Sequence, residues 1–150
     1  MRFLTARAND VPENTNFDDH RFMYARFDGA AWHVYPLAKA GARLYDIEED
    51  YTGLGALDPH HLDTVYISTV IDPRSGKTTA KHEIYKGVTT DGGANWSWTA
   101  ITEGSEVDNL RPVVPVWDGK NSAVLWLRGT YTTMNAYDLS VVGMISKAEQ

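Results

Sequence analysis

No cysteine occurs anywhere in the chain. That excludes a disulfide framework and any zinc site built on thiolates. Apolar residues never run long enough for a membrane helix, and the opening MRFLTARAND has no apolar stretch of the signal-peptide kind. Positive charge is scarce: 14 Lys and Arg stand against 20 Asp and Glu, a formal net charge of -6. Such a chain lacks the basic footprint that a phosphate backbone demands, so neither nucleic acid nor a membrane is expected as a partner. No glycine motif follows a strand and opens a helix to cradle a phosphate, so no nucleotide, flavin or other cofactor is expected. Helical pattern is also missing. The single candidate, PLAKAGARLYDIEED at 36–50, holds Gly41 and a poor apolar stripe, and it reads as a long loop with one helical turn.

What is present is β pattern. TVYISTVI (64–71), HEIYKGV (82–88) and SAVLWLRG (122–129) are rich in β-branched and aromatic residues. Between such runs stand clusters of turn formers, DPRSGK at 72–77 and WDGKNS at 117–122. With 150 residues, 43% of them hydrophobic and 11% aromatic, the chain has the size and the apolar content of one packed domain.

Repetition narrows the architecture. At an offset of 60, Asp58 falls on Asp118, Val65 on Leu125 and Tyr66 on Trp126. At offsets of 61 to 64, Tyr24 falls on Tyr85, Asp28 on Asp91 and Trp32 on Trp96. A unit of this length with four short strands, A to D from the inside out, is a propeller blade. The reading forward is B at 2–7, C at 21–27 and D at 31–36. Then come A at 51–57, B at 64–71, C at 82–88 and D at 95–101, and last A at 111–116, B at 122–128 and C at 136–145. The expected fold is all-β: a partial β-propeller of four-stranded antiparallel blades, about two and a half of them, in units near 1–36, 51–101 and 111–145.

The turn between the last two strands of the central unit, TTDGGANWSW (89–98), is the most specific motif. It fits Ser/Thr-x-Asp-x-Gly-x-x-Trp, with Thr89, Asp91, Gly93 and Trp96 in the named places. Asp can hold backbone N–H groups of its own turn, Gly tolerates a positive φ, and Trp plugs the gap between neighbouring sheets. This resembles the Asp box of sialidase-like propellers, a structural motif. FDGAAW (27–32) resembles a shortened copy. HEIYKGVTTDGGANWSWTAIT, then DNLRPVVP, then AVLWLRGTY resemble the C-terminal blades of the BNR-4 family over residues 20–145. That resemblance implies a carbohydrate-active propeller, of the kind found with lyases and glycosidases of uronate- and rhamnose-containing polysaccharides. It also suggests a secreted or periplasmic setting. The strand count implies the C-terminal part of a longer propeller. Head-to-tail copies would leave two strands missing at each joint, and exposed blade edges favour self-association.

Propeller connections sort the chemistry by face. The D–A and B–C connections gather Asp50, Tyr51, Asp108, Asn109 and Arg111 with Arg74, Lys77, Lys81, His82, Arg128, Tyr131 and Asn135; His20 precedes its strand as His82 does. The site expected from this has His82 and Tyr131 as proton-transfer residues. Arg111, Asn109, Tyr51, Asp50 and Asn135 would bind substrate, Arg111 by pairing with a sugar carboxylate. Arg111 has the alternative of a structural pair with Asp108 or Asp138, and His82 that of a histidine bonded to backbone. The two histidines of DPHHLD (58–63) point apart in a turn and lack a third ligand, so no metal is expected. A glycosidase would need two carboxylates, for which only Asp50 and Glu83 are at hand. Three classes follow: a polysaccharide lyase or glycosidase, a sugar-binding propeller without chemistry, and a protein-interaction scaffold.

Overall fold

The computed structural model describes residues 2–7, 20–44, 52–117 and 121–147. All regular structure there is strand. β1 (Arg2–Arg7), β2 (His20–Phe27) and β3 (Trp32–Gly41) form one antiparallel sheet in that order. β4 (Gly55–Leu57), β5 (Thr64–Ile71), β6 (Thr78–Val88) and β7 (Ser97–Ala100) form a second sheet of four strands. β8 (Asp108–Val113), β9 (Asn121–Thr133) and β10 (Ala136–Lys147) form a third. Each strand pairs with the one before it, so the order within every sheet is the order of the sequence. Asp50 and Tyr51 lie outside the described residues.

The long-loop expectation for 36–50 fails in its first part. Strand β3 runs on through Pro36 to Gly41. Pro36 is tolerated because β3 is an edge strand and needs no donor on its outer side. Register shifts between His20 and Arg21, and between Phe22 and Met23, let Leu37 and Ala40 turn inward, where both are buried. The apolar stripe looked poor because bulges break its period of two.

The sheets are layered face to face. Phe22, Tyr24, Leu37 and Ala40 of the first sheet pack with Val65, Ile67 and Tyr85 of the second. The opposite face of the second sheet puts Tyr66 and Ile84 against Val124 and Trp126 of the third. The central sheet is therefore covered on both sides. β5 shows the consequence in its burial, with six consecutive buried residues from Thr64 to Thr69, the near-continuous run of a strand buried on both faces.

This layering corrects the repeat alignment. Val65 and Ile67 face the preceding sheet, and so do Val124 and Trp126. The matching offset is thus 59, not 60. At 60, Val65 is set against Leu125, whose side chain lies on the far face of the third sheet. A slip of one residue exchanges the two faces of a strand, and similarity of apolar types cannot detect it when both faces are apolar.

Candidate functional site

The motif turn forms as its residue types require. Thr89 is buried, and its hydroxyl donates to Asp91 Oδ1 at 2.9 Å while accepting the Gly93 N–H at 2.9 Å. Asp91 Oδ1 accepts the Asn95 N–H at 3.0 Å, and Oδ2 accepts the Asn95 side-chain amide at 2.8 Å. Those Asn95 donors, with the Thr89 hydroxyl, hold the Asp91 carboxyl far below the ordinary carboxylate range. Gly92 and Gly93 take φ of 81° and 113°. Trp96 donates its ring N–H to the Gly93 carbonyl at 2.9 Å and meets Tyr24 of the first sheet edge-on, with ring centroids 5.1 Å apart. The tryptophan does bridge two sheets. In the shorter turn, Asp28 likewise accepts the N–H groups of Ala30 and Ala31. Its Trp32 stays half exposed against Phe27.

The chemically distinctive cluster lies at the other end of the second and third sheets. β6 leaves regular pairing between Thr78 and Glu83, and His82 sits in that stretch. Its backbone N–H and its ring Nδ1 both reach Asp108 Oδ1, at 2.9 and 3.2 Å. Lys81 stands 3.6 Å from the other carboxylate oxygen. Burial works against the Asp108 charge, but the His82 contacts and the Lys81 ammonium outweigh it, so the carboxyl is held below its ordinary value. An acceptor on Nδ1 selects, for a neutral ring, the tautomer whose Nε2 carries the lone pair. His82 Nε2 is buried and has no hydrogen-bond partner.

Arg111 joins this cluster through the backbone. Its N–H donates to the Gly53 carbonyl at 2.8 Å. A Cβ placed on Gly53 would fall 2.8 Å from His82 Cδ2 and 2.2 Å from Ser68 Oγ, so only glycine fits between them. Pairing of β8 with β9 jumps from Leu110 to Val113, and Arg111 in that bulge has φ of 53°. Leu54, next to Gly53, has φ of 63°. Two non-glycine residues in the left-handed region, side by side, are backbone strain of the kind that collects at functional sites. The bulge aims the Arg111 guanidinium over the Tyr131 ring, 5.8 Å from its centroid. Of the three residues expected together from the sequence, Arg111 meets Tyr131 through its side chain, and it is tied to the surroundings of His82 only through its backbone bond to Gly53. Asn135 is exposed in the tight turn between β9 and β10, two residues beyond Thr133.

Asn109 is placed differently from the expectation. It is fully buried. Its amide donates to the His82 carbonyl at 3.1 Å and to Ser105 Oγ at 3.0 Å. Its oxygen accepts from Trp126 Nε1 at 2.9 Å and from Arg128 at 3.0 Å. Nothing is left for a sugar, and Asn109 holds the second sheet to the third behind His82. Glu83, also buried, accepts from Thr102 and Ser105. Arg74 is committed to Asp72 and Glu103 over the Tyr85 ring. His61 bonds Asp58, and His60 accepts the Trp117 N–H; among the described residues no cluster of three metal-ligating side chains forms.

Sequence reasoning did not find Gly53, Ser68 or the buried network around Glu83. Their partners come from separate sheets, and no local spacing announces them. A cavity of about 660 Å³ opens between the second and third sheets at the opposite end from His82, bordered by Asp58, Tyr66, Lys86, Ser122 and Met144. No family model matches the chain, and neither the curated proteins nor the solved structures contain a match.

Proposed function

We propose that the three sheets are blades of a sialidase-like, Asp-box propeller and that the His82 end is a carbohydrate site for a uronate-containing acidic polysaccharide, worked by lyase chemistry. The observation that carries this reading is the histidine: Nδ1 is held by a charged Asp108 and Nε2 is left with no partner, while Gly53 lies between its ring and the backbone of Arg111, whose guanidinium covers Tyr131. In the proposed step Arg111 neutralises the sugar carboxylate, which acidifies the neighbouring C5–H. His82 Nε2 takes the C5 proton. The electron pair forms the C4–C5 double bond as the C4–O bond breaks. The Tyr131 hydroxyl gives its proton to the departing oxygen. A glycosidase is less well supported, because the buried Glu83 carboxylate already accepts from Thr102 and Ser105, and Asp50, its expected partner, lies outside the described residues.

One observation favours a second reading, sugar binding without chemistry: His82 Nε2 has almost no solvent contact. Incubation of the chain with polyuronates separates the two, with ultraviolet absorbance of the unsaturated product and binding by calorimetry as readouts. The lyase reading expects His82→Gln to lose at least about a hundredfold in product rate with binding retained. Arg111→Ala should lose both. Binding with no product from the unaltered chain would select the second reading, and neither product nor binding would remove both.

A further inference from the structure

A sheet that faces water carries polar residues on its wet side, whereas a sheet buried on both faces is apolar on both. The second sheet obeys the latter pattern and is covered on both sides. The first and third sheets share its composition, but among the described residues their outer faces are covered only in part: Ala123 and Leu110 are buried, whereas other positions stay open. On the first sheet, strand partners Ala25 with Val34 and Phe27 with Trp32 share the face turned away from Tyr24. Phe27, Trp32 and Val34 are 38%, 50% and 57% exposed. On the third sheet, Leu125 with Gly143, Leu127 with Val141 and Ala123 with Ile145 share the face turned away from Val124 and Trp126. Leu125, Val141 and Ile145 are 37%, 70% and 64% exposed. None of these central pairs is charged, and charge enters these faces only at their ends, with Arg21 opposite Lys39 and Lys147 opposite Asn121. Contiguous apolar surface of this kind marks an interface.

The chain also shows what such faces dock against. At both internal joints, the forward face of one sheet meets the backward face of the next, apolar side chain on apolar side chain. Among the described residues, two open faces are the remaining members of that series: the backward face of the first sheet and the forward face of the third. We propose that they dock on each other between copies of this chain, the third sheet of one copy stacking on the first sheet of the next. A strand deficit at the sheet edges does not oppose this joint, because it is made by faces. Such a contact is heterologous: it closes into a ring if the rotation per copy divides a full turn and otherwise grows as a stack.

Two variants on exposed positions test it, Val34→Glu and Val141→Glu, with Val34→Ser and Val141→Ser as milder counterparts. Unchanged far-ultraviolet circular dichroism and melting confirm that each folds. Solution mass is read by light scattering after gel filtration over a wide concentration range. The unaltered chain is expected well above its 16.8 kDa monomer mass. Each Glu variant alone is expected as a monomer, and each Ser variant needs more protein to associate. An equal mixture of the two Glu variants is expected to give a dimer and nothing larger, because one retains an intact first-sheet face and the other an intact third-sheet face. A monomeric unaltered chain at every concentration overturns the proposal. So does an oligomer that withstands both Glu substitutions, or one that only a single substitution disrupts, since that would be an isologous contact.

Discussion

At the scale of single residues, what the sequence displayed was what the chain settles locally. Thr89, Asp91, Gly93 and Trp96 lie within eight positions, and their hydrogen bonds stay within that turn. Spacing alone therefore sufficed to assign them. Asn109 lies next to Asp108 and looked just as available, but its partners come from positions as far apart as His82 and Arg128, a fact invisible without the fold. Gly93 gives the sharpest local prediction. A Cβ there would lie 2.4 Å from the Tyr24 ring at a φ of 113°. Gly104 also has positive φ, 65°, with nothing within 4 Å. Gly93→Ala should therefore cost about 2–4 kcal/mol through overpacking and backbone strain together. Gly104→Ala should cost only about 1 kcal/mol, the left-handed penalty alone. Urea midpoints at constant slope measure both. Equal costs would mean that Tyr24 yields readily and that the turn is not clamped against the first sheet.

At the scale of elements, the sequence placed the strands well because turn formers punctuate them, and misjudged their ends where bulges intervene. β8 begins at Asp108 and not at 111, and the residue expected to open it sits instead inside its bulge. That displacement matters for the proposed site, because the bulge turns Arg111 toward Tyr131. The strain there can be measured. Both Arg111→Ala and Arg111→Gly delete the guanidinium and its contact with the Tyr131 ring. Only glycine relieves the φ of 53°. The glycine variant should be more stable than the alanine variant by about 1 kcal/mol, the reverse of the order at an ordinary strand position. Both should lack uronate binding. If alanine is the more stable, the left-handed conformation at 111 is not what holds the bulge.

At the scale of the whole molecule, three stacked sheets place four aspartates where charge is favoured. Asp28 is held down by the Ala31 and Ala30 N–H groups, Asp91 by Asn95 and Thr89, and Asp72 by Arg74. Asp108 is held down by His82 against its own burial. All four carboxyls titrate below their ordinary value of 3.8 in the folded chain. The unfolded chain therefore binds protons first as pH falls, so stability is fully present above pH 3.8 and declines progressively below it. At the alkaline end the cause is burial. Tyr85, in the core between the first and second sheets, is pushed up from 10.0 to about 12, mainly by desolvation of its phenolate. Its contribution is intact below pH 10.0 and is lost as pH rises toward about 12. The melting temperature should thus form a plateau with two flanks of different origin. Asp91→Asn removes one titrating group from the acid flank and should make it shallower while leaving the alkaline flank in place. Tyr85→Phe should do the reverse, and an acid flank unchanged in Asp91→Asn would mean that the carboxylate in the motif turn carries none of the pH dependence.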